Sequence, residues 1–116
     1  MRMWMVDPSL LCKNHLLGEH YELHCIIGAI ETNPEWVKRL IKHGYIEMDK
    51  IESRHRKLVR DGRFKDKTPL KFDYSKVSKQ FPPGEVDREK SIRDLKQRCE
   101  HCKRRIEDAN SLQTRI

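Results

Sequence analysis

The stretch Asn14–His24, with the sequence NHLLGEHYELH, decides the fold that we expect for this chain. His15, Glu19 and Glu22 recur at positions i, i+4 and i+7, so a helix places them on one stripe. A second stripe is apolar and can face a core, with Leu16, Leu23, Ile27 and Ile30. The stretch therefore predicts an amphipathic helix that carries an imidazole and carboxylates on its polar face.

The rest of the chain predicts an all-α fold, a single compact domain (residues 1–116) of three main helices with long ordered loops. The first helix begins at Asp7-Pro8, since proline is tolerated at an early helical position, and runs to about Ile30. A short helix restarts at Asn33-Pro34-Glu35 and ends at Gly44.

The second half of the chain predicts the two other main helices. Asp49, with Glu52 three residues later, indicates a capping box that opens a helix reaching Gly62. Residues 62–86 contain most of the prolines and few periodic apolar residues, which is typical of an ordered loop. The last helix is predicted over about 86–109.

Charge is unevenly distributed along the chain. The chain has 25 Lys and Arg residues against 18 Asp and Glu; residues 1–50 carry 6 basic and 7 acidic side chains, whereas residues 51–116 carry 19 and 11. A one-sided positive field attracts phosphate, although a solubilising basic surface is the alternative. No apolar run approaches the ~20 residues of a membrane span and no signal peptide is visible, so we expect a cytoplasmic protein without a membrane partner.

The stretch MRMWMVDPSLLCKNHLLGEHYELH resembles the pyrimidine-dimer DNA glycosylase family, small phage and microbial enzymes that combine a glycosylase with an abasic-site lyase. The later stretches RHRKLV, GRFKDKTPL and DREKSIRDLKQRCEHCKRRI extend the resemblance over most of the chain, but residues 1–24 are its most specific part. The resemblance implies an α-amine nucleophile at the first residue and an essential glutamate on the first helix.

Matched residue by residue, the resemblance assigns the site. The amine falls on Met1, the glutamate on Glu22 and its supporting histidine on His15, so these three are the candidate catalytic residues. The neighbouring polar residue Asn14 and the early arginine Arg2 are candidate DNA-binding residues.

Met1 stands where the best-known member of the family exposes a threonine by methionine removal. Because Arg2 is too large for that removal, we expect Met1 to be retained. An α-amine has a pKa of roughly 7.7–8.0 against about 10.4 for lysine, so more of it is nucleophilic near neutral pH. MRMWMV is apolar, and packing of Trp4 and Val6 is expected to fix the amine in place.

Three further residues are candidate DNA contacts. Tyr21 stands just before Glu22, where the best-known member of the family has an arginine, and this difference leaves a different modified base open as the substrate. Arg93 and Lys96 lie off the apolar stripe of the last helix and are expected to reach the DNA backbone. The basic runs 54–57 and 103–105 are expected to contact phosphates as well.

The four cysteines and two of the histidines are candidate metal ligands, but their spacing along the chain does not favour a metal site. Cys99 and Cys102 have the spacing of half a zinc site, and Cys12 and Cys25 can supply the rest. However, Cys99 and Cys102 also continue the apolar stripe of the last helix, which favours buried thiols over zinc or a disulfide. His20 and His24 lack the zinc-protease pattern, so we expect no metal there.

The sequence therefore predicts a DNA glycosylase with abasic-site lyase activity on damaged pyrimidines. We expect it to act as a monomer on double-stranded DNA with a damaged or abasic site, without a metal or organic cofactor. A non-catalytic basic DNA-binding module and a glycosylase for a different modified base remain as alternatives. A metal-dependent nuclease is less favoured, because no clustered carboxylate pair is visible.

Overall fold

The computed structural model describes residues 1–66 and 69–114, with side chains through residue 111, and these ranges are all-helical. The α-helices within them are α1 (Lys13–Thr32), α2 (Pro34–Lys42), α3 (Ile51–Arg60), α4 (Arg88–Arg98) and α5 (Glu100–Thr114). Short 3-10 turns occur at Pro8–Leu10, Met48–Lys50 and Tyr74–Lys76. The all-α prediction is confirmed, whereas the predicted number of three main helices is corrected to five helices in the described ranges.

The first helix begins later than predicted. Leu11 and Cys12 are extended, so α1 starts at Lys13. Asp7 caps the preceding 3-10 turn instead, and its carboxylate accepts a hydrogen bond from the backbone N–H of Ser9 at 2.9 Å. This early break lets the chain before α1 turn back along the helix.

The short second helix follows its prediction, and the start of the third does not. The side chain of Asn33 caps α2, and Gly44 follows that helix with a φ of 74°. The predicted capping box at Asp49 is wrong, because Asp49 lies inside a 3-10 turn and its carboxylate contacts the ammonium of Lys50 at 3.3 Å. Gly62 follows α3 with a φ of 89°, as predicted.

The predicted last helix is two helices. α4 ends at Arg98 and α5 begins at Glu100, because Cys99 between them has extended backbone angles (φ −139°, ψ 111°). Asp87 caps α4 by accepting a hydrogen bond from the backbone N–H of Lys90 at 3.1 Å. Cys99 and Cys102 therefore do not share one continuous helix, which corrects the sequence-based interpretation.

The core is one cluster of buried side chains built around α1. α1 contacts α2 and α3, α4 packs against α5, and α5 reaches the 3-10 turn before α1. The predicted apolar stripe of α1 faces this core, with Leu16 and Leu23 buried and Ile27 and Ile30 half-buried. Within the described ranges, no helix combines the length and the hydropathy that crossing a lipid bilayer requires.

The N-terminal segment packs into the same core. Met3, Trp4 and Val6 are buried, which confirms that Trp4 and Val6 pack. The backbone N–H of Met3 donates to the carbonyl of Tyr45 at 2.7 Å, and the backbone N–H of Glu47 approaches the Met3 sulfur at 3.4 Å. These contacts hold the segment against the chain that links α2 to α3.

A buried ion pair joins the N-terminal segment, α1 and α3. The Arg54 guanidinium donates to both carboxylate oxygens of Glu19, at 2.5 and 2.9 Å, and its third contact is the carbonyl of Val6 at 2.6 Å. The side chains of Arg54 and Glu19 are only 3% and 0% exposed. Both charges are removed from water and hydrogen-bonded to each other. We therefore expect the loss of either partner to lower the stability of the fold strongly.

We predict that Arg54→Met and Glu19→Gln each lower the free energy of unfolding by about 3–5 kcal/mol, since each leaves a buried charge uncompensated. The double variant should lose less than the sum of the two. Urea unfolding measures all three, with Arg56→Met as the control. Arg56 makes an exposed ion pair with Glu52 at 3.4 Å, so that change should stay within about 1 kcal/mol. Strictly additive losses would contradict coupling within the pair.

Candidate active site

The start of the chain lies on the polar stripe of α1. The backbone N–H of Arg2 donates to a carboxylate oxygen of Glu22 at 3.2 Å. The positive charge of the N-terminus acts to lower the pKa of Glu22, against a larger effect of burial. Met1 itself is exposed.

The side chain of Arg2 anchors the chain start to α4. Its guanidinium donates to Asp94 at 2.9 Å and to the Ser91 hydroxyl at 3.1 Å, and it stacks over the Trp4 ring at 4.0 Å. The Arg2 guanidinium holds the pKa of Asp94 below its ordinary value. The side chain of Arg2 is 11% exposed in these contacts, and its predicted role in binding DNA stays a prediction.

A cleft of about 280 Å³ opens at this point, and we call it the N-terminal cleft. Its lining includes five of the candidate catalytic and DNA-binding residues, namely Met1, Arg2, Asn14, His15 and Glu22. The other lining residues are Trp4, Gly18, Glu19 and Arg98. One site therefore brings together all three candidate catalytic residues.

The carboxyl group of Glu22 is electrostatically unusual. Partial burial raises its pKa, and the charge of Glu19 one helical turn away raises it further. The N–H of Arg2 and the positive N-terminus act in the opposite direction, but burial outweighs them. Glu22 therefore keeps its proton to a higher pH than an exposed glutamate does.

The other candidate DNA-binding residues are not among the described residues that line the N-terminal cleft. Tyr21 is 66% exposed on α1, and on α4 Arg93 is exposed and Lys96 is half-buried. Arg98, from the last turn of α4, lines the cleft instead. No sequence signal identifies Arg98, because the neighbouring arginines and lysines look equivalent.

The basic run at 54–57 faces solvent only in part. Arg54 and His55 are buried, so Arg54 is unavailable to phosphate and that part of the prediction is wrong. Arg56 and Lys57 are exposed. In the run at 103–105, the two arginines are exposed, and one of them also donates to the carbonyl of Ser9 at 2.7 Å.

A cluster of potential metal ligands lies beside the cleft, and we call it the Cys₃His cluster. It consists of Cys12, His15, Cys99 and Cys102, whose ligand atoms all lie within 4.8 Å of one another. Cys102 is buried, as the apolar stripe predicted, whereas Cys99 is half-buried. Cys25, which the sequence offered as a fourth ligand, is not in the cluster.

A second cluster, which we call the His₃Asp cluster, lies on another side of α1. It consists of His20 and His24 from α1, His55 from α3 and Asp66 from the loop that follows. Nε2 atoms of His20 and His55 approach the same oxygen of Asp66, at 2.6 and 2.9 Å. The sequence identified the first two histidines, but it gave no sign of the two residues that complete the cluster.

The fold and the cleft define an all-helical protein whose first residue is held beside a half-buried glutamate. A model of the pyrimidine dimer DNA glycosylase family matches residues 1–63, more than half of the chain, and the chain belongs to this family. The matched range contains the N-terminal segment and α1 to α3. Comparison with curated proteins and with solved structures finds no match.

Membership of the family has direct consequences for function. It places the chain among DNA repair glycosylases, with DNA as the expected substrate. The matched range includes Met1, His15 and Glu22, and it excludes α4 and α5. The family match thus covers every residue that lines the N-terminal cleft except Arg98, and Asp94, which anchors Arg2, also belongs to the unmatched part of the chain.

Proposed function

We propose that the chain excises damaged pyrimidines, with cyclobutane dimers as the substrate class, and cleaves the strand at the resulting abasic site. The α-amine of Met1 is the nucleophile and Glu22 is its acid–base partner. The observation that carries this proposal is the position of the chain start, where the Arg2 N–H contacts the Glu22 carboxylate inside an open cleft. Membership of the glycosylase family supports the class of reaction.

The reaction begins with a base or nucleotide drawn out of the duplex to expose C1′. The unprotonated amine of Met1 attacks C1′, and the glycosidic bond breaks as the base leaves with the bonding electrons and gains a proton. The sugar ring then opens at the C1′–O4′ bond, which leaves a protonated imine between Met1 and the sugar. Loss of a proton from C2′ expels the 3′ phosphate by β-elimination, and water later releases Met1.

Glu22 is suited to these reaction steps because one carboxyl group can donate and accept protons in turn. Its raised pKa brings its proton affinity closer to neutral pH, where an acid–base catalyst works best. As a carboxylate, it stabilises the positive charge of the imine and accepts the C2′ proton. A carboxylate oxygen of Glu22 accepts a hydrogen bond from the backbone N–H of Arg2 at 3.2 Å. This bond keeps Glu22 close to Met1, the residue that carries the amine.

Other residues of the cleft bind or position. Arg2 fixes the chain start through Asp94, so we assign it a positioning role. Exposed Asn14 and Arg98 offer polar contacts to a phosphate or a base edge, and the ring of His15 packs edge-on against Trp4 at 5.7 Å. We place His15 in the wall of the cleft, where it supports the chain start.

Side chains outside the N-terminal cleft supply further contacts to double-stranded DNA. Tyr21 on α1 and Arg93 on α4 are exposed, and Lys96 on α4 is half-buried. An exposed aromatic ring next to Glu22 favours stacking on an unpaired base over a phosphate contact. The best-known member of the family has an arginine at the position of Tyr21. Because a stacking ring replaces that charge here, a different modified base is the main alternative substrate.

Borohydride should trap a covalent complex between the protein and DNA that contains an abasic site, and peptide mapping should find the adduct on Met1. The reason is that reduction converts the imine into a stable amine. A chain with an N-terminal extension is the control, since it moves the amine away from Glu22. An adduct on a lysine, or equal trapping by the extended chain, would remove Met1 from the reaction. Substituting DNA with a pyrimidine dimer tests the substrate class.

Glu22→Gln should lower the rate of strand cleavage at an abasic site by at least ~10², the usual scale for a positioned acid–base group. Its affinity for the same duplex should be unchanged or slightly tighter, because one negative charge near phosphate disappears. Glu31→Gln, on an exposed position of the same helix, is the matched control and should cleave normally. Cleavage by Glu22→Gln at the rate of the wild type would exclude Glu22 from catalysis.

A further inference from the structure

The Cys₃His cluster combines two short motifs that lie far apart in the sequence. Cys12 and His15 are separated by two residues at the start of α1, and Cys99 and Cys102 are separated by two residues at the junction of α4 and α5. A pair of ligands with this spacing is half of a structural zinc site. The structure places the two halves together, which the sequence alone does not show.

The distances within the cluster fit a tetrahedral zinc ion. Zinc bonds to sulfur and nitrogen measure about 2.3 and 2.0–2.1 Å, so ligand atoms at the corners of a tetrahedron lie about 3.3–3.8 Å apart. Sγ of Cys12 lies 3.8 Å from Sγ of Cys99 and 3.2 Å from Nδ1 of His15. The two separations are close to that range, and the distance between the two sulfur atoms is too long for a disulfide bond.

Backbone N–H groups point at two of the sulfur atoms. The N–H of Cys12 lies 3.2 Å from Sγ of Cys102, and the N–H of Cys102 lies 3.4 Å from Sγ of Cys99. Such donors stabilise thiolates, the form of cysteine that binds metal. Cys99 lies at the extended junction between α4 and α5, and from there its thiol contacts the thiol of Cys12.

We propose that Cys12, His15, Cys99 and Cys102 bind one structural zinc ion. The protein supplies all four ligands, so the site is closed and needs no water to complete it. The ion ties the start of α1 to the α4–α5 junction, next to Arg98 of the N-terminal cleft. This assignment replaces the sequence-based prediction of buried thiols without a metal, and it does not depend on the proposed enzymatic reaction.

Cobalt substitution tests the Cys₃His site directly. Purified wild type should contain zinc, and Co²⁺ in its place should give intense tetrahedral bands together with a thiolate-to-cobalt charge-transfer band. Cys99→Ser should lose the charge-transfer band at equimolar cobalt, whereas Cys25→Ser should keep it, because Cys25 lies outside the cluster. Absence of the band from wild type, or its loss in Cys25→Ser, would overturn the proposal.

Two measurements keep the test decisive if Cys99→Ser does not fold. His15→Cys retains four ligands, so it should still bind cobalt with a stronger charge-transfer band, whereas His15→Ala should bind it at least tenfold more weakly. Removal of metal from wild type by a chelator should lower Tm, and zinc alone should restore it. An unchanged Tm after complete metal removal, or equal binding by His15→Cys and His15→Ala, would contradict a structural site.

The His₃Asp cluster carries a second, independent proposal. Nε2 of His20 and Nε2 of His55 lie 3.1 Å apart, and Nε2 of His24 lies 3.6 Å from the Asp66 oxygen that both contact. Three imidazole nitrogens thus converge with one carboxylate oxygen, all within 4.8 Å of one another, and the three contacts of 2.6–3.1 Å must lengthen by a few tenths of an ångström for a tetrahedral ion to enter. We propose that these four residues bind a divalent transition metal of the zinc class, which favours imidazole and carboxylate ligands.

Metal stoichiometry separates the second site from the first. Wild type should bind about two cobalt ions per chain, and His24→Ala should bind about one while the thiolate band is unchanged. His43→Ala is the control, because His43 lies outside both clusters. About one cobalt ion in both wild type and His24→Ala would overturn the second site and leave the first intact. Weaker thiolate bands in His24→Ala would contradict the independence of the two sites.

Discussion

The buried ion pair between Glu19 and Arg54 determines where the chain start lies. Arg54 has three hydrogen bonds, two to the carboxylate of Glu19 and one to the carbonyl of Val6, so the N-terminal segment is fixed to α1 and α3 at once. With Val6 held there and Met3 bonded to the chain before α3, the backbone reaches Glu22 at Arg2. The nucleophile that we propose, the amine of Met1, therefore depends on a contact at Val6, five residues along the chain.

Glu19 and Glu22 share a stripe of α1 but have opposite environments. The guanidinium of Arg54 donates to both oxygens of Glu19, whereas Glu22 has one backbone N–H and the charge of the N-terminus as compensation. Burial therefore raises the pKa of Glu22, and the paired Glu19 adds to that shift by its charge. Two carboxylates in different environments are a common way to separate a structural role from an acid–base role.

The sequence predicted the features that depend on residues close together along the chain, such as the two faces of α1. It missed the features that depend on contacts between residues far apart in the chain. The periodicity of α1 predicted both its buried face and the stripe with Glu22. The break at Cys99 was missed, because Cys99 and Cys102 fit helical spacing and only contact with Cys12 reveals the junction. Arg54 looked like a phosphate contact for the same reason, since its partner lies 35 residues away.

Both proposed metal sites involve α1, and this placement has a physical rationale. The chain has 36% hydrophobic and 37% charged residues, so its core is modest for a protein with long polar connections. Metal binding contributes directly to folding when the ligands come from distant segments. The Cys₃His cluster joins α1 to the α4–α5 junction and the His₃Asp cluster joins it to α3 and the following loop. Together with the ion pair, they would tie α1 to the N-terminal segment, to α3 and the loop after it, and to the α4–α5 junction, and so hold in place the helix that carries Glu22.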